Sequence, residues 1–403
     1  MMPEASLPHQ RTKPPFSAIS SPNQKRIKPP FSRVLLVSQK SKNMKREIIR
    51  IESIASIPLL REGWRNATKG DKSLRDSSKS YAVNLDRNLL SLSHRLLDGT
   101  FRPSAGHTFR MMTEGKWRDI TSFPIEDRIV HYALVKVFNL SRHFVRRTHG
   151  SIKGRGCLSA SKQVRRDLRE ICHNNPEADI YVLKLDCRKF YPSILKSRIK
   201  EKIAARYKGA AALRLMNAVI DAYLPDNPRG MSIGALISQE LGNLFLSELD
   251  HFALQTIRAH YYTRYVDDIT MIWPTKEQAI AAIPQLEQVA ERDGLTFGRI
   301  ELYPVRARRI DFCGYAVGIT DSGNLTTRLR PKTVRRFRRR LHNAARRLTA
   351  ANNERATVLA SFVREPLISQ TIASYEGIAL HADTHNLLIN IKRKYNEVYR
   401  TAN

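Results

Sequence analysis

The sequence predicts an α+β fold, in which strands and helices intermix without a regular βαβ order. Short apolar segments rich in β-branched and aromatic residues recur along the chain, separated by longer segments with apolar residues at helical spacing. Because these segments do not alternate strictly, a doubly wound parallel sheet is disfavoured. At 403 residues the chain is long enough for two or three subdomains.

The first half of the chain is predicted to be mostly helical. Leucines recur at three- and four-residue steps within residues 48–99, which is the spacing of amphipathic helices. Short strands around a Glu114-Gly115 turn are predicted within residues 101–120, followed by a helix over 125–144.

The second half is predicted to contain the strands of a central sheet. Residues 180–185 form a short apolar run that is typical of a buried strand, with Asp186 at its end. Two further β-rich segments, 260–265 and 269–273, are joined by Val266-Asp267-Asp268. The other predicted elements are helices over 196–224, 238–257 and 276–292, a break at 225–230, strands within 297–319, and helix from 332 onwards.

The charge balance indicates a polyanionic partner. Lys and Arg number 69 and Asp and Glu 37, giving a net charge of +32. Such an excess repels itself in a compact chain, and nucleic acid relieves that repulsion, although a solvated basic surface is the simpler alternative. The four cysteines show no C-x-x-C pair, which favours free thiols over a zinc site or disulfides. With no apolar run of about 18 residues and no signal-peptide pattern, we expect a cytoplasmic protein without a membrane partner.

Acidic residues at strand ends indicate a metal site. Asp267 and Asp268 are adjacent, in a turn between two hydrophobic strands. Asp is also common in surface turns, but two anions at the tip of a buried hairpin repel each other and require a cation. Mg²⁺ prefers carboxylate and phosphate oxygens. With Asp186 as a third acid, two such ions could promote in-line phosphoryl transfer.

Several motifs resemble those of bacterial reverse transcriptases, including the enzymes of retrons, group II introns and diversity-generating retroelements. Residues 264–269 (R-Y-V-D-D-I) and 185–194 (L-D-C-R-K-F-Y-P-S-I) are similar to their catalytic motifs. The other segments that resemble this family, in its order, are 116–120 with Asp127-Arg128, 150–157, 231–239 running into Asn243-Leu244 and Leu249-Asp250, 311–315 and 372–385. The resemblance extends from about residue 48 to the end of the chain.

The resemblance implies a right-hand polymerase with fingers, a palm built on an antiparallel sheet with helices, and a helical thumb. Fingers and palm would occupy residues 44–325 and the basic thumb 326–403. Residues 1–43, rich in Pro, Ser and Lys and carrying R-x-K-P-P-F-S twice, are predicted to be a disordered basic leader. Met44 could equally be the start.

The family also implies roles for individual residues. Asp186, Asp267, Asp268 and the backbone carbonyl of Cys187 would form the catalytic and metal-binding set for two Mg²⁺ ions, with Mn²⁺ as a substitute. The other implied site residues are Arg118, Tyr191, Ile233 and Gly234 for the nucleotide, and Lys153 and Arg155 for nucleic acid. The Arg118 guanidinium matches triphosphate oxygens, and the Tyr191 ring would exclude a 2′-hydroxyl, although plain core packing is its alternative role.

Two positions depart from the family pattern. Ile233 stands where many members carry Gln before the Gly of that motif, and losing this amide could lower copying fidelity. A misincorporation rate equal to that of a Gln-bearing relative would contradict this hypothesis. Arg299 is the nearest basic residue to the position where the family often has a Lys that protonates pyrophosphate, and Arg gives up protons poorly.

The segment 329–348 is predicted to be a basic helix of the thumb. Its apolar residues fall on one helical face and its arginines on the other. The arginines expected to contact the phosphates of an RNA–DNA duplex are Arg335, Arg336, Arg338 and Arg339, although a solvated face remains the alternative.

Together these observations predict an RNA-directed DNA polymerase that adds dNTPs to a DNA or RNA primer on an RNA template. Two settings remain open, a retroelement or an antiphage defence system, with an accessory protein or a structured non-coding RNA as a further partner. The alternative function is a catalytically idle RNA-binding protein on a polymerase scaffold. The intact set of acids argues against it, since clustered anions would only weaken RNA binding.

Overall fold

Helices and short antiparallel sheets alternate irregularly along the chain. The computed structural model describes residues 45–113, 115–352, 372–384, 386–387, 389–390 and 393. The strands are β1 Glu47–Ile48, β2 His107–Thr113, β3 Lys116–Ser122, β4 Tyr181–Cys187, β5 Tyr207–Lys208, β6 Tyr262–Tyr265, β7 Asp268–Trp273, β8 Phe297–Pro304, β9 Ile310–Phe312, β10 Tyr315–Ile319 and β11 Leu325–Leu329. The α+β prediction is confirmed.

The helices include four before the first hairpin and a long one after the last strand. They are α1 Ile51–Ala55, α2 Ile57–Ala67, α3 Asp76–Val83, α4 Leu85–Leu97, α5 Ile125–Phe138, α6 Cys157–Asn174, α7 Phe190–Ser193, α8 Lys196–Ala204, α9 Ala210–Ala222, α10 Leu236–Phe245, α11 Ser247–His251, α12 Lys276–Arg292 and α13 Pro331–Asn352. Short 3-10 helices lie at Gly70–Leu74 and Leu140–His143, and a π turn at Phe252–Thr256.

A four-stranded antiparallel sheet in the order β6-β7-β4-β8 positions the acidic residues. Its two faces differ because side chains alternate along a strand. Leu183 and Leu185 of β4 face the main hydrophobic core. Val182, on the opposite face, joins a second core under α6. Lys184 and Asp186 follow on that same face, so it changes from apolar to charged along the strand.

The helices predicted over 196–224 and 125–144 differ from those in the structure. The single helix over 196–224 is instead α8 and α9, separated by β5, which pairs in parallel with β1. Pairing with a strand distant in sequence overrides local helical spacing. The predicted helix over 125–144 ends at Phe138, because the left-handed φ of 43° at Asn139 stops α5 before a 3-10 turn.

The hairpin of β2 and β3 projects with most of its side chains exposed. At its base, the Thr121 N–H donates to the carbonyl of Ile233 at 2.8 Å. Gly234 has φ +122°, and an added Cβ would lie 2.6 Å from the Thr121 carbonyl oxygen. Only glycine fits this conformation and this close approach.

The C-terminal region combines the β9–β11 sheet with α13. Phe337 of α13 is buried and stacks on Tyr375 with ring centroids 3.5 Å apart. Tyr315 and Leu329 complete this small core. In the part of the chain that the structure describes, no helix has the length and apolar character needed to cross a membrane. The leader predicted for 1–43 and part of the predicted thumb lie outside the described residues.

Candidate active site

Three acidic residues lie at one edge of the central sheet. Asp186 of β4 lies directly opposite Asp268 of β7, and Asp268 lies opposite Tyr265 of β6. The loop of the β6–β7 hairpin is therefore only Val266-Asp267. The prediction that Asp268 belongs to the turn is wrong, because this residue already begins β7. Likewise β4 continues through Asp186 to Cys187.

The β4–β8 ladder contains a bulge at the same edge. Its register shifts between Asp186 and Cys187, with Asp186 opposite Arg299 and Cys187 opposite Phe297. Bulges next to functional sites redirect side chains. Burial raises the pKa of the Cys187 thiol to about 12, with the charge of Asp267 adding to the effect. The thiol is therefore protonated at neutral pH, and only its backbone carbonyl could be an oxygen ligand.

The carboxylates of Asp186 and Asp267 have raised pKa values. Burial, repulsion from Asp186 and repulsion from Asp268 raise the pKa of Asp267 to about 6. Burial also raises the pKa of Asp186, against the opposing charges of Lys116, Arg299 and Lys184. Among the described residues, no ion pair within 4.0 Å involves either carboxylate. Two partly buried anions without a cationic partner create a local need for positive charge.

Asp268 differs because Lys184 contacts it. The Lys184 Nζ is 3.2 Å from Oδ1 of Asp268 and donates to the carbonyl oxygen of Asp311 at 2.6 Å. Burial raises the pKa of Asp268, and Lys184 is the largest opposing influence. Sequence reasoning missed Lys184. The sequence feature that could have identified it is a lysine inside a predicted buried strand, two residues before Asp186 and hence on the same face of the sheet.

The donor set fits a magnesium ion that is completed by substrate. Within the residues that the structure describes, no three His, Cys, Asp or Glu side chains converge as a preformed metal-binding group. Mg²⁺ usually binds one or two carboxylates together with water and substrate phosphates rather than an all-protein cage. Asp186 and Asp267, which lack a cationic partner, fit that pattern, whereas Asp268 is already paired with Lys184.

The raised pKa of Asp267 predicts a stability change. The folded protein binds a proton at Asp267 more tightly than the unfolded chain, whose pKa is about 3.8. The cost of the buried charge is therefore absent below that pH and fully present above about pH 6. We expect Asp267→Asn to raise the free energy of unfolding of the metal-free protein at pH 8 by about 1–3 kcal/mol, and by less at pH 5.

Urea unfolding in the presence of EDTA measures this effect. Asp321→Asn, at an exposed turn, is the matched control and should leave the unfolding free energy unchanged at both pH values. A gain for Asp267→Asn that is equal at pH 5 and pH 8 would contradict the assigned cause.

Tyr191 lies next to the acids and against α10. An added Cβ on Gly242 would lie 3.3 Å from the Tyr191 ring and 3.2 Å from the Phe190 ring, so this glycine allows both rings to approach the helix. Burial raises the pKa of Tyr191 to about 12, and Asp267 contributes. Tyr191 is only partly buried.

The β2–β3 hairpin brings two cations toward the acids. Arg118 opposes the rise in the pKa of Asp267, and Lys116 opposes the rise for Asp186. The Arg118 Nη1 donates to the Thr113 hydroxyl at 2.6 Å. Ile233 is partly buried and Gly234 is exposed at the base of the same hairpin. The structure thus brings the predicted nucleotide-binding residues to one region.

The predicted nucleic-acid-binding residues differ in exposure. Lys153 is exposed. Arg155 is partly buried, and its Nη1 donates to the carbonyl of Thr148 at 2.9 Å and to those of Val145 and Arg146 at 3.3 Å, so it also stabilises this loop. The exposed thumb arginines are Arg335, Arg336, Arg338 and Arg339, on the faces of α13 away from buried Phe337. Their role in binding nucleic acid stays a prediction.

Solved structures of known proteins align with part of the chain, whereas no curated protein matches it. Among solved structures, apo telomerase from Candida tropicalis, truncated from its C-terminal domain, aligns with a TM-score of 0.44 and 12% identity, over 55% of this chain and 55% of that one. Telomerase from Candida albicans, in complex with a TWJ fragment of telomeric RNA, aligns with a TM-score of 0.42 and 11% identity, over 69% of this chain and 54% of that one. The chain thus covers just over half of each.

One family model matches the region that contains the site. Residues 107–299 match the family described as "Reverse transcriptase (RNA-dependent DNA polymerase)". The matched segment runs from the first residue of β2 to Arg299 of β8. It therefore includes the β2–β3 hairpin, Asp186, Tyr191 and the Asp267-Asp268 pair. This part of the chain is therefore similar to the reverse transcriptase domain of RNA-directed DNA polymerases.

Proposed function

We propose that this protein extends a DNA or RNA primer with dNTPs on an RNA template. The observation that carries the proposal is the pair of partly buried carboxylates, Asp186 and Asp267, without a cationic partner among the described residues, inside a matched reverse transcriptase domain. A protein that only bound RNA would have no use for two neighbouring, partly buried anions at this position.

Each residue has a specific task in this proposal. Asp186, Asp267 and the Cys187 carbonyl would hold two Mg²⁺ ions, with Mn²⁺ as a substitute, while Lys184 holds Asp268 in place beside them. The ions, when bound, would stabilise charge on the attacking 3′-oxygen and the departing pyrophosphate. Arg118 would bind the triphosphate with its planar guanidinium. Tyr191 would pack against the sugar and select deoxyribose by excluding a 2′-hydroxyl.

The proposed partners follow from charge and shape. With a net charge of +32, an RNA template and its DNA product are suitable partners. We further propose a bacterial setting, either a retroelement or an antiphage defence system, with an accessory protein or structured RNA as an additional partner. None of the four cysteines, all of which lie in the described part of the chain, is in a disulfide, which is consistent with the cytoplasm.

A primer-extension assay tests the proposal directly. Purified protein is incubated with a 5′-labelled primer on a defined RNA template, in Mg²⁺ or Mn²⁺, with dNTPs or rNTPs in separate reactions. We expect template-directed extension with dNTPs and little extension with rNTPs. RNA binding without extension in either metal would favour the idle RNA-binding protein, and preferential use of rNTPs would contradict the role of Tyr191.

The thumb arginines predict a salt-dependent loss of binding. Changing Arg335, Arg338 and Arg339 together to Ala should weaken binding to a primed RNA template. Each phosphate contact that is lost reduces the number of counterions that binding releases. The slope of log K against log salt concentration should fall in magnitude by roughly 2–3. Fluorescence anisotropy between low and physiological salt measures both quantities.

A charge-matched control separates this effect from net charge alone. Three exposed arginines on α4, α9 and α12, Arg87, Arg214 and Arg292, are changed to Ala together. An equal loss of slope in this control would show that α13 is no more than a solvated basic face.

A further inference from the structure

A buried arginine lies behind the hairpin that presents Asp267. Arg264 and Asp250 have side chains that are 0% exposed. The Nε and Nη2 of Arg264 donate to the two carboxylate oxygens of Asp250, each at 2.6 Å. The hydroxyl of Tyr262 also donates to Asp250, and that of Thr148 does so at 3.1 Å. This carboxylate of α11 is therefore fully satisfied, and its position is fixed by groups from β6 and the loop before α6.

The remaining side of Arg264 contacts the hairpin loop. Its Nη1 donates to the carbonyl oxygen of Val266 at 2.7 Å and to the amide oxygen of Asn243 at 3.0 Å. The amide nitrogen of Asn243 in turn donates to the carbonyl of Gly150 at 2.8 Å. One guanidinium thus connects the buried Asp250 to the residue that immediately precedes Asp267.

The loop needs this support because of its conformation. Val266 has φ +58°, a value that β-branched residues rarely adopt. Two-residue hairpin loops require a positive φ at this position and usually have Gly, Asn or Asp there. An unfavourable conformation of this kind persists at a functional site only when surrounding contacts fix it. Without them, the loop could relax and the Asp267 carboxylate would move.

We propose that Arg264 is a positioning residue which, through the Val266 carbonyl, holds Asp267 in the orientation that binds a divalent cation. This inference rests on the proposed function of the site. A buried ion pair alone would not support it, since such pairs add little net stability and can often be replaced by apolar residues. The deciding feature is the planar fork, which contacts a carboxylate and a loop carbonyl at once, as a lysine ammonium cannot.

The test measures metal binding separately from catalysis. Mn²⁺ binding to the nucleotide-free protein is followed by electron paramagnetic resonance, and the Mg²⁺ dependence and dNTP KM of primer extension are measured beside it. Arg264→Lys keeps the positive charge against Asp250 but removes the fork. Asn243→Ala removes the side-chain acceptor of the Arg264 Nη1 and the link to Gly150, but leaves the ion pair with Asp250 and the bond to the Val266 carbonyl.

A matched control comes from another buried ion pair. The Lys202 Nζ lies 2.8 Å from Asp293 and 2.8 Å from Glu248, and its side chain is 2% exposed. Its contacts among the described residues are with Asp293, Glu248 and the Phe245 ring, and none of these belongs to the β6–β7 hairpin. Lys202→Met therefore shows what losing a buried cation does to stability alone, as measured by thermal unfolding of all three variants.

We expect Arg264→Lys to weaken Mn²⁺ binding by about 10–100-fold and to raise the Mg²⁺ concentration for half-maximal extension similarly, with the dNTP KM nearly unchanged. Asn243→Ala should produce a smaller shift in the same direction, and Lys202→Met none. Wild-type Mn²⁺ affinity in Arg264→Lys, with a melting temperature lowered as in Lys202→Met, would overturn the inference. A wild-type protein that binds Mn²⁺ but makes no DNA would reject the proposed function, while the Mn²⁺ shift would still decide the role of Arg264.

Discussion

Replacing Asp267 by Asn is expected to reduce RNA-templated DNA synthesis by at least about 10³-fold, because metal-assisted stabilisation of phosphoryl transfer contributes several kcal/mol. The amide keeps the size of the side chain but removes the charge. Asp267 lies in a two-residue loop beside Asp186, and the adjacent Asp268 is already paired with Lys184, so we expect no neighbouring acid to replace it. Single-turnover extension of a primed RNA measures the loss.

The same variant should gain stability while losing activity, which distinguishes removal of a metal ligand from misfolding. Asp268→Asn provides the comparison within the site. Because Asp268 is paired with Lys184 at 3.2 Å, we expect Asp268→Asn to reduce the rate less than Asp267→Asn does. The Asp268 substitution also removes the carboxylate with which Lys184 pairs. A greater loss with Asp268→Asn would show that the two acids exchange roles when metal binds.

The strands and acids of this site could be predicted from local sequence. Apolar runs that end in carboxylates, such as residues 180–186, reveal both a buried strand and the anion at its edge. The precise turn could not be predicted in this way. Whether Asp268 belongs to the loop or to β7 depends on its pairing with Asp186, about eighty residues away, and a shift of one residue would move it to the other face.

The support of the site was not visible in the sequence either. Arg264 could be read as one more basic residue in a chain with 69 of them. Its burial depends on Asp250 from α11 and on Thr148 from a loop more than a hundred residues earlier. A charged residue is buried only when such partners converge, and one sequence does not show which distant residues do so. For Arg155, the sequence predicted only a contact with nucleic acid. In the structure its side chain also donates to three backbone carbonyls and so stabilises a loop.

Gly150 lies against the hairpin loop that carries Asp267. The Gly150 carbonyl accepts a hydrogen bond from Asn243 at 2.8 Å, and its Cα lies close to the loop. A Cβ added at Gly150 would be 2.7 Å from Cγ2 of Val266 and 2.8 Å from its backbone nitrogen. Side-chain atoms do not approach a backbone atom this closely, so the loop would have to shift.

Gly150→Ala is therefore expected to reduce DNA synthesis by about 10²-fold, since displacing a reacting group by about 1 Å can cost that much. Gly156→Ala is the matched control. It lies in the same segment, has an extended φ of −178°, and has no atom within 4 Å of an added Cβ. Primer extension and Mn²⁺ binding should change in Gly150→Ala and stay at wild-type values in Gly156→Ala. Because the substitution removes no carboxylate and can act only by shifting the loop, equal activity of the two variants would mean that the position of the Val266-Asp267 loop does not limit the reaction.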